Sequence, residues 1–260
     1  MTDMRSASLS IWRDRFIYTS PQFVGDESCR PSCVIIVGTG GDVEIESAGF
    51  KYTGRAFLIG PNVSRTLTAN STGHYSLNID PISPFSRTLR NLSESHGVMN
   101  LHSRLTDTVL ECARMSVENT PACAHMFEYS QTILTHLFPE LGAVKSLDMR
   151  IDKVASWLQT NVPPTAELKK LSDLCGLSES RLAHLFTEEV GISIRQYLLW
   201  TKMRYAAELF VRRKTLSEVA HEIGFSDSSH LSRTFTRYFA LTPSYLANGK
   251  MVKLQICNVQ

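Results

Sequence analysis

The sequence predicts an α+β chain of 260 residues: a small N-terminal β-barrel followed by helices, then an all-α domain holding two helix-turn-helix units. Three observations predict this. Short apolar runs separated by turn residues fill the stretch from about Leu9 to Ile79. After Pro81 the apolar period becomes helical. Between Leu168 and Leu246 one helical pattern is written twice.

In the first stretch, Cys33–Val37, Ala56–Ile59 and Tyr75–Ile79 are apolar runs of strand length. Turn signals at Gly38-Thr39-Gly40-Gly41, Tyr52-Thr53-Gly54 and Gly60-Pro61-Asn62 divide them. Val43 and Ile45 alternate with Asp42, Glu44 and Glu46, as in a half-exposed strand. Short strands at this spacing suggest a small antiparallel barrel or sandwich. Only His74 falls in the strand region, and Arg65 stands near where a second histidine would be needed, so neither a metal site nor any cofactor is expected. Arg55, Arg65 and His74 are the candidates for holding a small effector at a barrel mouth; the alternative is that such residues are solvated or paired on a strand surface.

Beyond Pro81, Phe85, Leu89 and Leu92 follow a helical spacing, as do Leu101, Leu105, Val109 and Cys112, and then Met126, Tyr129, Ile133 and Leu137. Pro121 separates the last two stripes, which suggests an antiparallel helix pair. The stripes can bury against the barrel of their own chain or against a partner subunit. Pro139–Lys145 reads as a short connection, dividing the chain into 1–142 and 143–260.

The second part opens with Asp148 as a cap for a helix carrying Ile151, Val154, Ala155 and Leu158. Pro163-Pro164 ends that helix, and Thr165 is expected to cap the next. Then the duplicated pattern begins. Leu168, Leu171, Cys175, Gly176 and Leu177 match Leu216, Val219, Ile223, Gly224 and Phe225, and Leu182 and Phe186 match Leu231 and Phe235. A glycine able to take positive φ, then an N-capping serine (Ser178, Ser226), is the sequence form of a helix-turn-helix. The units span about 168–189 and 216–239. Between them Ser193 and Gln196 have capping-box spacing, and a proline-free helix runs to about Arg213. About twenty residues at 1.5 Å each give roughly 30 Å, close to one turn of B-DNA. Such a spacer lets both second helices reach one side of a duplex.

Ile223-Gly224-Phe225-Ser226-Asp227, Ser232-Arg233-Thr234-Phe235 and Thr242-Pro243-Ser244-Tyr245 resemble the DNA-binding domain of the AraC/XylS family of transcription regulators, over about residues 148–247. Ala240 stands where that family usually has glycine, and Leu246 where arginine is common. The resemblance implies a cupin-like effector barrel at the N-terminus, with the Gly54–Pro61 stretch as the strand before its proline turn, and helices that pair with a second subunit. It also implies base reading by Ser180, Ala183 and His184 in unit one and by Ser228, Ser229 and Arg233 in unit two. Thr187, Lys202, Arg204, Arg212, Arg213 and Arg237 are candidates for DNA-backbone contacts. The alternative for each is a solvated helix face, or, for Arg204, an ion pair with a carboxylate such as Glu208. The implied partners are double-stranded promoter DNA, RNA polymerase, a small-molecule effector and a second copy of the chain.

Composition fits without compelling this reading. With 43% hydrophobic and 20% charged residues and a net charge of +2, nothing in bulk demands nucleic acid. Residues 1–147 hold 12 Lys and Arg against 14 Asp and Glu; residues 148–260 hold 15 against 11, so the halves carry −2 and +4. Arg5, Arg13, Asp14 and Arg15 interrupt the N-terminal apolar runs, and no stretch approaches the ~20 apolar residues of a membrane span. The expectation is a cytoplasmic protein whose six scattered cysteines are reduced, with Cys29 and Cys33 too isolated to form a metal site. The function expected is sequence-specific transcription regulation, activation included, rather than catalysis. The competing reading is a barrel-type binder or enzyme whose helical domain no longer binds DNA.

Overall fold

The computed structural model describes residues 7–70, 72–93, 97–143, 146–212, 214–248 and 251–257. Nine strands come first: β1 (Ala7–Ile11), β2 (Arg15–Ser20), β3 (Phe23–Val24), β4 (Cys33–Gly38), β5 (Val43–Ser47), β6 (Phe50–Gly54), β7 (Ala56–Ile59), β8 (Thr66–Ala69) and β9 (His74–Ile79). Helix α1 (Ser86–Ser93), strand β10 (Val98–Asn100) and the pair α2 (Asp107–Asn119) and α3 (Cys123–Leu137) follow. The helical domain comprises α4 (Met149–Asn161), α5 (Leu168–Cys175), α6 (Glu179–Val190), α7 (Ile194–Val211), α8 (Leu216–Glu222), α9 (Ser228–Phe239) and α10 (Pro243–Ala247). A last strand, β11 (Val252–Ile256), ends the described chain.

The strands form a seven-stranded sheet, β10-β7-β4-β9-β2-β1-β11, and a four-stranded sheet, β3-β8-β5-β6. Side chains on successive strand residues point to opposite faces, and β4 uses both. Val34 and Ile36 meet Val43, Ile45 and Ala69 of the smaller sheet. Cys33, Ile35 and Val37 join the core under α2 and α3. That double burial is why Cys33–Val37 reads as an unbroken apolar run. Burial also raises the Cys33 thiol to about 12. The helical stripes are spent on the same core: Leu101, Val109, Met126, Ile133 and Leu137 all pack there, within their own chain.

β1 and β2 make the seam. Ile17 faces the α2–α3 side, whereas Leu9, Phe16 and Tyr18 share one core with the helical domain, including Trp200, Phe239 and Leu246. The two parts are fused by a common apolar interior.

The structure corrects the sequence reading in several places. The boundary drawn for 143–260 fails at its far end, because β11 runs parallel to β1 and completes the N-terminal sheet. Cys123 and Cys257, expected as thiols, form a disulfide across 134 residues, a pairing that only the fold creates. Thr165 caps nothing: α5 begins at Leu168 with no side-chain cap. In unit two the cap is Asp227, which accepts from the His230 amide, rather than Ser226.

Candidate nucleic-acid interface

Local sequence builds each reader. Gly176 and Gly224 take φ of +69° and +71°, a region where a Cβ is strained, and so turn the first helix of each unit into its second. Ser178 accepts the Arg181 amide at the start of α6. The expected capping box of Ser193 with Gln196 opens α7, and a second box, Thr215 with Glu218, opens α8. Leu182 and Phe186 on α6, and Leu231 and Phe235 on α9, are fully buried, which turns the opposite faces outward.

On those faces Ser180 and His184 are exposed and Ala183 half-buried in unit one; Ser229 and Arg233 are exposed and Ser228 half-buried in unit two. Each set therefore lies together on one outward helix face. The two helices differ in charge. α6 carries Glu179, Glu188 and Glu189 against Arg181, and His184 stands 3.8 Å from Glu188. α9 carries Arg233 and Arg237 and no acid.

The backbone-contact candidates divide. Thr187, Arg212 and Arg237 are exposed on the helical domain. Arg213 lies outside the described residues. Lys202 is removed from the list: its ammonium is buried, donates to the Pro164 carbonyl at 2.8 Å and lies over the Phe225 ring. Burial lowers its pKa. Arg204 is removed as well, and its carboxylate is Asp80 rather than Glu208.

Asp80, at the end of β9, is a residue the sequence did not reveal. Its carboxylate pairs with Arg204 and accepts from the Trp200 indole (2.8 Å) and the Tyr197 hydroxyl (3.5 Å), all from α7. The same Nη1 of Arg204 also donates to the Arg13 carbonyl (2.9 Å), and its Nη2 donates to the Trp12 carbonyl. Two further contacts hold the readers from behind. The Cys29 amide donates to the Arg237 carbonyl at the end of α9 (2.7 Å). Arg87 pairs with Glu189 at the end of α6 (3.6 Å), and Arg90 covers Gly191 so closely that a Cβ there would collide. The β-domain thus grips α7 and the C-terminal ends of both readers, leaving their N-terminal halves open.

At the same seam lies a cavity of about 40 Å³, lined by Tyr18, Phe23 and Leu67 from the sheets and Phe239, Ala240 and Leu246 from the helical domain, with Arg30, Arg65 and His74 in its wall. Arg65 and His74 are brought together as expected, and Arg30 is an addition. Arg55 is not part of the site; it ties down the Gly38 and Thr39 carbonyls. Arg30 bonds Asn78 (2.9 Å), Arg65 bonds the Val63 carbonyl (3.0 Å), and neither has an acidic partner among the described residues. The Arg30 Nε and the His74 Nδ1 are buried without any hydrogen bond. Burial, with Arg65 nearby, pushes the Arg30 pKa well down; burial takes Arg65 to about 10 and His74 to about 3, so the imidazole is neutral. Two desolvated cations and no anion make a wall suited to a carboxylate. Leu246, where the resembled family has arginine, serves this seam as a buried apolar side chain.

Comparison with known proteins agrees with this geometry. The helix-turn-helix domain family matches residues 171–248. An uncharacterised HTH-type transcriptional regulator of Staphylococcus aureus is 29% identical over 97 residues, 37% of this chain and 13% of that protein. The HTH-type transcriptional activator RhaR of Escherichia coli is 32% identical over 100 residues, 38% of this chain and 36% of RhaR. The chain therefore aligns with well under half the length of these relatives. Over nearly its whole length it shares a fold with ToxT of Vibrio cholerae: 12% identity, TM-score 0.55, covering 89% of this chain and 97% of that one. A further ToxT structure, with unsaturated fatty acid bound, aligns with TM-score 0.54 at 14% identity over 89% of this chain and 94% of that one. With their duplicated, capped units on one spacer helix, residues 171–248 of this chain are a helix-turn-helix domain of the AraC type.

Proposed function

We propose that this chain is a sequence-specific, double-stranded-DNA-binding transcription regulator controlled by a small-molecule effector, and not an enzyme. The observation that carries this is the mounting of two open reading faces on one helix. The 18 residues of α7 span about 27 Å, close to the ~34 Å between successive major-groove faces. Ser180, Ala183, His184, Ser228, Ser229 and Arg233 would meet base edges, and Thr187, Arg212 and Arg237 phosphates. The relatives' names support activation, which requires contact with RNA polymerase in the cytoplasm. A second copy would pair through the outer side of α2, where Glu111 and Arg114 lie, because the inner stripes are used within the chain.

The effector we assign to the seam cavity is a carboxylate with an apolar body, held by Arg30 and Arg65. The unsaturated fatty acid bound in a ToxT structure supports that class. An occupant larger than its head group must open the 40 Å³ cavity and press on Phe239–Leu241, which couples binding to α9.

Binding of the full chain to promoter fragments at rising salt tests the DNA reading. With two to three phosphates neutralised by arginine, affinity falls roughly ten- to fortyfold between about 50 and 200 mM salt, with sequence preference retained. Salt-insensitive or sequence-blind binding refutes it. For the effector, a long-chain monounsaturated fatty acid should bind the wild type, and Arg30→Met with Arg65→Met should abolish that binding.

A further inference from the structure

The C-terminal strand is held in an unusual way. β11 is an edge strand, paired with β1 from Ala7–Val252 to Ile11–Ile256. At its start the Ala7 amide donates to the Met251 carbonyl (3.0 Å). At its end three fastenings converge: the Cys257 amide donates to the Ile11 carbonyl (2.8 Å), the Gln255 carboxamide donates to the Pro121 carbonyl (3.1 Å), and Cys257 is bonded to Cys123. Ile11 leads directly into Trp12 and Arg13, whose carbonyls hold Arg204 of α7. The fastening of β11 and the seat of the spacer helix therefore share one three-residue segment.

We propose that Cys123 and Cys257 form a reversible thiol–disulfide site that latches β11 onto the sheet and sets how firmly the β-domain holds α7. Its reaction partners are low-molecular-weight or protein dithiols and disulfides. The two sulfurs differ in access: Cys123 is half-buried, whereas Cys257 is 4% exposed. Cys123 is also the first residue of the fifteen-residue α3, where unpaired amides favour a thiolate. An open groove of about 770 Å³, lined by Trp12, Arg13, Arg204, Ile256 and Cys257, runs from the latch to the α7 anchor. In closing, the Cys123 thiolate attacks a disulfide RSSR, forms a mixed disulfide and releases one RS⁻. The Cys257 thiolate then attacks the Cys123 sulfur and releases the second. Two protein thiols have lost two electrons and two protons, and RSSR has become two RSH. A dithiol reverses the sequence and leaves as a cyclic disulfide.

The test uses the full chain without DNA, so its result is separate from that of the DNA-binding proposal. The protein is equilibrated with oxidised glutathione or with dithiothreitol, then read by thiol alkylation with peptide mapping and by amide hydrogen exchange. Expected are a Cys123–Cys257 cross-linked peptide in oxidised glutathione, its loss in dithiothreitol without denaturant, and about tenfold faster exchange in β1 and β11 of the reduced form. Exchange in α7 around Arg204 should also rise, while β4 and β9 stay unchanged. Cys123→Ser and Cys257→Ser should each exchange like reduced wild type in both media. Absence of the cross-link, failure of dithiothreitol to open it in the folded protein, or unchanged exchange in β1 and β11 overturns the latch. Unchanged exchange in α7 overturns its coupling to the spacer helix.

Discussion

Arg233 and His184 stand at matching places, each two residues beyond a buried leucine of its recognition helix, Leu231 or Leu182. Their surroundings decide which matters more. Glu188 beside His184 opposes the approach of phosphates, whereas α9 carries no acid along its length and only its cap, Asp227, lies near Arg233. Arg233→Ala should therefore cost more affinity than His184→Ala on the same site. If Arg233 grips a guanine with two bonds, its loss removes about 1–3 kcal/mol of discrimination at one base pair. Selection from a randomised duplex checks this, since a phosphate contact would instead weaken all sites alike. His74 gives a second prediction. Its folded pKa is depressed to about 3 by burial, so between pH ~6.5 and 3 the unfolded chain binds a proton that the folded one refuses. Stability from this group is complete above pH ~6.5 and is lost as pH falls. Urea unfolding should show about 2 kcal/mol lost between pH 6.5 and 5 through His74. His74→Phe, packed by the same Tyr18 and Phe23 rings, should lose correspondingly less.

At the scale of elements, the helix-turn-helix units were legible because their determinants are local. The positive-φ glycines and the boxes Ser193/Gln196 and Thr215/Glu218 lie within a few residues of what they cap. Lys202 misled for a related reason: helix phase says which way a side chain leaves the axis, but not that the Pro164 carbonyl waits 38 residues away. Arg30, Asp80 and the Cys123–Cys257 bond were illegible because their partners are 48, 117 to 124 and 134 residues distant. α7 carries its own prediction. One alanine inserted after Arg204 keeps the Asp80 anchor and unit one in place, while turning unit two by about 100° and moving it by about 1.5 Å. Helical content by circular dichroism should hold, binding to a composite site should collapse, and binding to unit one's half-site should persist. Undiminished binding to the composite site would show that the spacer does not set the register.

For the whole molecule, the seam is as much core as boundary. The β-domain holds α7 at Asp80, α9 at the Arg237 carbonyl and α6 at Arg87 and Arg90, and β11 returns across the seam to close the sheet. Asp80→Ala leaves the largely covered Arg204 guanidinium without its counter-charge and should destabilise the chain by about 3 kcal/mol, measurable as a lowered denaturation midpoint. The central claim is that this grip presents two readers to one face of a duplex, one helical turn apart. Hydroxyl-radical footprinting of the full chain on a selected high-affinity site tests it most directly. The account predicts two protected patches centred about 10 base pairs apart on the same face. A single patch, or two patches on opposite faces, would contradict it.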